Sequence, residues 1–195
     1  MTDAGLQLLV VGGSWGGFDA ASALLARLQA PIAVPVLLVL HRSRHSDAEL
    51  VERLLSRASG HDVHELEEEK EQLRAGTILL APPDYHVLVE EGGVSLSVEG
   101  PVNYSRPSVD LAFETAAEEY GGRLGAVLLT GAGRDGAAGL AAVRRNGGRT
   151  FVQDPATALR SEMPQAALAT GPVDVVAAPD VLGDRIQELL VGVSR

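Results

Sequence analysis

The chain has 195 residues, a formal net charge of −10 from 26 acidic against 16 basic side chains, and no cysteine. Its length suits one domain over residues 1–195, with a core that folds without staples. The acidic balance and an aromatic content of 4% argue against a nucleic-acid partner, and the lack of cysteine removes disulfides and thiolate metal sites. The longest apolar run, residues 32–40, is about half of a membrane span, and no signal-peptide pattern opens the chain. A cytoplasmic protein without membrane insertion is the expectation.

In chain order, residues 6–11 read as a strand and residues 17–28 as a helix. Residues 35–40 form a continuous apolar run, as expected of a parallel strand covered on both faces. Asp47 can cap a helix to residue 58 with Leu50, Val51, Leu54 and Leu55 on one face, and Gly60 ends it. The stretch 61–70 is half acidic and reads as a short strand leading into a solvated rim. His61, His64 and Glu65 lack the spacing of a helical zinc site, so no metal is expected there. A strand at 77–80 and a Pro82-Pro83-Asp84 turn lead to a hairpin, 86–89 and 94–98, around Glu91-Gly92-Gly93.

After a polar loop at 101–107, Ser108 is placed to cap a helix over 109–120, ended by Gly121-Gly122. The strand at 126–129 runs into a Gly-rich turn, Thr130-Gly131-Ala132-Gly133-Arg134-Asp135-Gly136, and a helix at 137–145. A strand at 150–153, a helix at 163–168, a strand at 173–177 and a helix at 181–191, capped by Asp180, complete the chain. This alternation predicts an α/β protein: a doubly wound, mostly parallel sheet with helices on both faces and an antiparallel hairpin.

Function in such sheets gathers beyond the carboxyl ends of the strands. There, Gly12-Gly13-Ser14-Trp15-Gly16-Gly17 brackets one hydroxyl with glycines at a strand-to-helix turn, the Gly-x-Ser-x-Gly spacing of a nucleophile elbow. The bland alternative is a serine N-cap. A dinucleotide loop is disfavoured, because Ser14 stands where the middle glycine belongs and the second strand ends in His41 rather than an acid. Asp135 follows the 126–129 strand, with helix N-capping as its bland role. Hydroxyl, imidazole and carboxylate are the parts of a serine hydrolase, with the N–H groups of Trp15 and the Gly131-Ala132-Gly133 turn as oxyanion donors. The order Ser-His-Asp is not that of α/β-hydrolases.

The same residues carry a resemblance to the catalytic domain of CheB, the chemotaxis protein-glutamate methylesterase. It runs through Val11-Gly12-Gly13-Ser14-Trp15-Gly16-Gly17, Leu40-His41, Ala81-Pro82-Pro83-Asp84-Tyr85-His86 and Arg106-Pro107-Ser108-Val109-Asp110. It is densest at Leu128 to Gly139 and closes with Glu162-Met163-Pro164-Gln165-Ala166-Ala167. The resemblance implies hydrolysis of γ-glutamyl methyl esters on a methylated receptor or other signalling protein, deamidation of receptor glutamines, and no cofactor. It implies Ser14, His41 and Asp135 as the triad, the backbone N–H of Ala132 as an oxyanion donor, and Met163 near the site. Met163 and Arg106 are the candidates for substrate binding, and Arg42, Arg44, Arg106 and Arg134 are expected to offset the net negative charge around the site. Trp15 replaces a usual Thr, Ala132 a usual Met, and Glu162 a usual Gly. The receiver domain of the full-length enzyme has no counterpart, so a stand-alone catalytic domain is expected. The rival function is a catalytically retired module that keeps the fold and binds a partner.

Overall fold

The structure, a computed structural model, describes residues 5–90 and 92–192. The lead-in at residues 2–4 and Glu91 of the expected hairpin turn lie outside the described residues. The described residues hold ten strands and six α-helices: β1 Leu8–Gly13, α1 Gly17–Leu25, β2 Val36–Leu40, α2 Ala48–Ser59, β3 Val63–Glu65, β4 Lys70–Gln72, β5 Ile78–Leu80, β6 His86–Glu90, β7 Gly93–Ser97, α3 Val109–Tyr120, β8 Leu124–Leu128, α4 Ala137–Arg145, β9 Arg149–Gln153, α5 Glu162–Ala169, β10 Val175–Ala177 and α6 Pro179–Gly192. Seven strands form a parallel sheet in the order β10-β9-β8-β1-β2-β5-β3. The chain winds outward from β1 in one direction through β2, then returns to β1's other side with β8. The switch point therefore lies between β1 and β8, where crevices form at the carboxyl ends.

Both faces of the sheet are buried. Leu8 and Val10 point into one core layer with α3, α4 and α5; Leu9 and Val11 point into the other with α1 and α6. Two covered faces explain why the strands read as unbroken apolar runs instead of alternating ones.

Several expected boundaries move. β1 continues through Gly12 and Gly13, which pair with Leu128 of β8 and Leu40 of β2. A strand can hold glycines there because α3 presses on it: a Cβ on Gly12 would lie 2.2 Å from Val109 Cγ1. α1 stops at Leu25, three residues early. Asp47 caps α2 through the Leu50 N–H at 3.0 Å, as the sequence indicates. The apolar face of α2 is only partly used. Leu55 is buried, but Leu50 and Leu54 are exposed, because the helix packs on α1 and β3 at the end of the sheet. α6 begins two residues before the expected start, so Asp180 lies in its first turn and is not its cap.

The hairpin is the larger correction. β6 and β7 gain β4 as a third antiparallel strand, in the order β4-β7-β6. β4 is Lys-Glu-Gln and leaves its side chains largely in water. A strand held by backbone bonds alone has no apolar signature, so the acidic rim hides it.

Candidate active site

Ser14 stands at the carboxyl end of β1 on the turn into α1. Its N–H donates to the Thr130 carbonyl at 2.9 Å, and its own carbonyl accepts from Gly17 N–H at 2.7 Å. Gly16, at φ 80°, supplies the left-handed residue that the sharp turn requires. The second Gly-rich turn lies directly against this one. A Cβ on Gly131 would fall 2.8 Å from Ser14 Cβ and 2.0 Å from Met163 Sδ. Met163 is fully buried and forms the floor beneath both turns. Gly131→Ala should therefore displace Ser14 or the methionine. The expected result is a stability loss of about 1–3 kcal/mol by denaturant unfolding, with a steep fall in esterase activity; an active, unperturbed variant would show that the two turns are looser than they look.

Thr130 binds the turns together. Its N–H donates to Gln153 Oε1 at 2.8 Å, its hydroxyl lies 3.0 Å from the Trp15 carbonyl, and it accepts from Arg160 N–H at 2.9 Å. Two donors expected at the site remain free. Among the described residues, the N–H groups of Trp15 and Ala132 make no hydrogen bond. They flank Ser14 and the tip of the opposing turn, where an anion formed at Ser14 would need donors.

His41 follows β2, its N–H bonded to the Gly13 carbonyl at 3.0 Å. Its Nε2 lies 2.9 Å from Asp135 Oδ2. Asp135 does not cap α4: Gly136 occupies that position. Its carboxylate instead sits on the N-terminus of α3. Oδ2 accepts from Val109 N–H at 2.7 Å, and Oδ1 from Asp110 N–H at 3.1 Å and the Ser108 hydroxyl at 3.0 Å. Burial pushes this acid up, but the His41 bond and the two helix N–H groups outweigh it and hold Asp135 below the usual carboxylate range. An ionised carboxylate can only accept, so His41 Nε2 carries a proton, and in the neutral ring Nδ1 is the acceptor nitrogen. Among the described residues, the Ser14 hydroxyl makes no hydrogen bond, and it is half-exposed.

Asp110, one turn into α3, shows the opposite balance. It has two close donors, Gly139 N–H at 2.7 Å and Asn103 Nδ2 at 2.7 Å. Burial dominates, Gly139 offsets part of it, and the charges of Asp135 and Glu114 add to it, raising Asp110 to about 6. For an acid with a raised folded-state pKa, stability present at low pH is lost as pH rises from about 4 to about 6. Asp110→Asn keeps the Gly139 bond and can donate to a flipped Asn103 amide. Unfolding measured across that window should show wild type losing on the order of 2 kcal/mol relative to the variant. Parallel stability curves would contradict the assignment.

Of the four expected surface cations, two are spent on structure. Arg42 pairs with Glu65 and donates to the Ala81 carbonyl at 2.9 Å. Arg106 donates to the Val98 and Glu99 carbonyls at 2.9 and 3.0 Å and lies 3.8 Å from Asp84. Arg44 and Arg134 are exposed and, among the described residues, unpaired. His61, His64 and Glu65 do not converge: the His61 ring bonds the Leu25 and Leu28 carbonyls, and Glu65 holds Arg42. Sequence reasoning missed the roles of Thr130, Asn103 and Asp110. The sequence presents Ser108 as a cap alone, yet its hydroxyl both accepts from Leu111 N–H at 3.3 Å and donates to Asp135. A polar Ser-x-Asp at a helix start is the one signal that could have pointed here.

Ser14, His41 and the buried Asp135, all beyond the carboxyl ends of strands in one parallel sheet, are the parts from which the serine esterase class is built. The family model described as CheB methylesterase matches residues 9–186, and the chain belongs to that family. A Leptospira interrogans protein, provisionally named protein-glutamate methylesterase/protein-glutamine glutaminase, is 39% identical over 179 residues, covering 91% of this chain and 92% of its own. The Anaeromyxobacter dehalogenans protein-glutamate methylesterase/protein-glutamine glutaminase 2 is also 39% identical, over 95% of this chain but 54% of its own length. The crystal structure of the Thermotoga maritima CheB methylesterase catalytic domain superposes with a TM-score of 0.87 at 28% identity, covering 94% of this chain and 98% of that one. Among the described residues, no helix is long and apolar enough to cross a membrane.

Proposed function

We propose that residues 1–195 act as one catalytic domain that hydrolyses γ-glutamyl methyl esters on methylated chemoreceptor-like signalling proteins, and deamidates glutamines at equivalent positions. The observation that carries this reading is the His41–Asp135 bond beyond the carboxyl ends of the strands, where the His41 N–H also holds the Gly13 carbonyl next to Ser14.

Ser14 Oγ attacks the ester carbonyl as His41 Nδ1 takes its proton. Negative charge collects on the carbonyl oxygen, and the free N–H groups of Trp15 and Ala132 are available to receive it. The intermediate collapses, the C–O bond to the methoxy group breaks, and His41 returns the proton so that methanol leaves. Water then repeats the sequence on the glutamyl-serine ester, releasing glutamate and restoring Ser14. Asp135 stays ionised throughout, fixing the tautomer and stabilising the transient imidazolium. With glutamine, the same steps release ammonia.

Methanol release from a methylated receptor fragment tests this directly. Release by wild type that disappears in Ser14→Ala supports both the reaction and the nucleophile. The unbonded Ser14 hydroxyl also suits a retired binding module. A fluorophosphonate separates the two, because a retired site would leave Ser14 unlabelled.

A further inference from the structure

The most exposed large apolar or aromatic side chains among the described residues are Tyr104, Val98, Trp15 and Leu159, at 104, 69, 68 and 66%. Three of these four sit on segments that touch the candidate triad or the two Gly-rich turns around it. Trp15 follows Ser14. Leu159 lies over the same turn, 3.0 Å from the position of a Cβ on Gly16, and its neighbour Arg160 bonds Thr130 and Gly131. Tyr104 follows Asn103, whose amide reaches Asp110 at 2.7 Å and Asp135 at 3.5 Å.

The backbone at Tyr104 is the sharpest of these observations. Val102 and Ser105 exchange both of their N–H···O bonds, closing a two-residue turn with φ 49° at Asn103 and 63° at Tyr104. Positive φ at both central positions is the type I′ form, for which Asn followed by Gly is the natural pair. Asn103 fits. Tyr104 holds a conformation that bulky residues avoid, and its fully exposed ring gains no packing within the fold to offset the strain. The turn is moored to the triad acid through Asn103, so the strained residue is held at a fixed place beside the site.

We propose that Trp15, Tyr104 and Leu159 form an apolar recognition rim for the protein substrate, with Tyr104 as a specificity-determining contact. The occupant is a polypeptide segment that presents apolar side chains next to the esterified glutamate. This rests on the esterase reading above. The chemistry needs only Ser14, His41, Asp135 and two N–H donors, so a rim of large apolar groups outside them is superfluous for a small ester. Charge points the same way. A net −10 repels an acidic target, and Arg44 and Arg134 are the only two of the expected four cations left unpaired to oppose it. Apolar contact must then supply much of the attraction, and exposed aromatic anchors are the residues that do so at protein interfaces.

Tyr104→Gly and Leu159→Ser test the rim. Each is compared with wild type for kcat/KM on a methylated receptor fragment and on p-nitrophenyl acetate, with melting temperature as the check on folding. In Tyr104→Gly, the ratio of protein to small-ester kcat/KM should fall about tenfold through KM, with the melting temperature unchanged or higher because Gly relieves the positive φ. Leu159→Ser should lower the ratio about threefold by itself. Ratios within twofold of wild type in both variants would overturn the rim while leaving the esterase intact. Wild type that cleaves the small ester but neither binds nor demethylates any receptor fragment would overturn the protein-substrate reading and the rim with it. Self-association of wild type that Tyr104→Gly abolishes would assign the surface to a second copy of this chain, and would also overturn the proposal.

Discussion

Replacing Ser14 with alanine should lower kcat on a carboxyl ester by about 10⁴ or more and leave the fold intact. The fold survives because what holds this turn is backbone. The Ser14 N–H bond to Thr130, the Gly17 N–H bond to Ser14 and the left-handed Gly16 do not involve the hydroxyl, which has no partner among the described residues. Alanine also adds no atom toward Gly131. Activity falls because the attacking oxygen is gone and the opposing turn offers no replacement. Thr130, the nearest hydroxyl in the opposing turn, is buried and committed to Trp15 and Arg160. What persists would be the rate supplied by the N–H donors alone. Steady-state kinetics with denaturant unfolding separates the two effects, and a variant retaining a tenth of the wild-type rate would place the nucleophile elsewhere.

Changing Asp135 should damage stability and chemistry together, which sets it apart from Ser14. Asp135→Ala leaves the Val109 and Asp110 N–H groups and the Ser108 hydroxyl without their acceptor at a buried helix start. The expected cost is about 3–5 kcal/mol, because unpaired buried donors lose water and gain nothing. Asp135→Asn is no remedy. Oδ2 accepts from His41 and Val109, and Oδ1 from Ser108 and Asp110, so the amide nitrogen meets donors on whichever side it takes. If it faces His41, the ring must turn its proton to Nδ1, and the base is lost. Both variants should lose about 10⁴ in kcat. An asparagine variant that keeps a tenth or more of the rate would show that Asp135 does not fix the tautomer. Acid should mimic part of this damage: an acid held below its ordinary pKa stabilises the fold above that range, and this contribution disappears as pH falls through the lowered folded-state value.

These two carboxylates show how environment divides similar groups. Asp135 and Asp110 are both almost fully buried and share Asn103. One carries the histidine and a helix N-terminus and is held ionised. The other is raised first by burial, with fewer donors to offset it and its neighbour's charge added. The distinction lies in which N–H groups reach each oxygen, and no spacing in the chain expresses it.

The sequence by itself determined the class of sheet, the two Gly-rich turns and the three residues placed at strand ends. Apolar runs and glycine positions are local properties that follow from burial on both faces and from tight turns, so a linear reading captures them. It also identified Ser108 and Asp47 as caps, because capping is a local contact. Only the tertiary structure decided that Asp135 serves α3 instead of its own helix, since that partnership joins residues 26 apart in sequence. Tertiary structure also decided that Arg42 and Arg106 are consumed by internal partners, and that Leu50 and Leu54 overhang the sheet's end. It found a third antiparallel strand in an acidic rim, where backbone bonds leave no trace in side-chain pattern. Strand order, helix approach and the fate of each buried polar group are set by long-range contacts, and those are what moved the assignments.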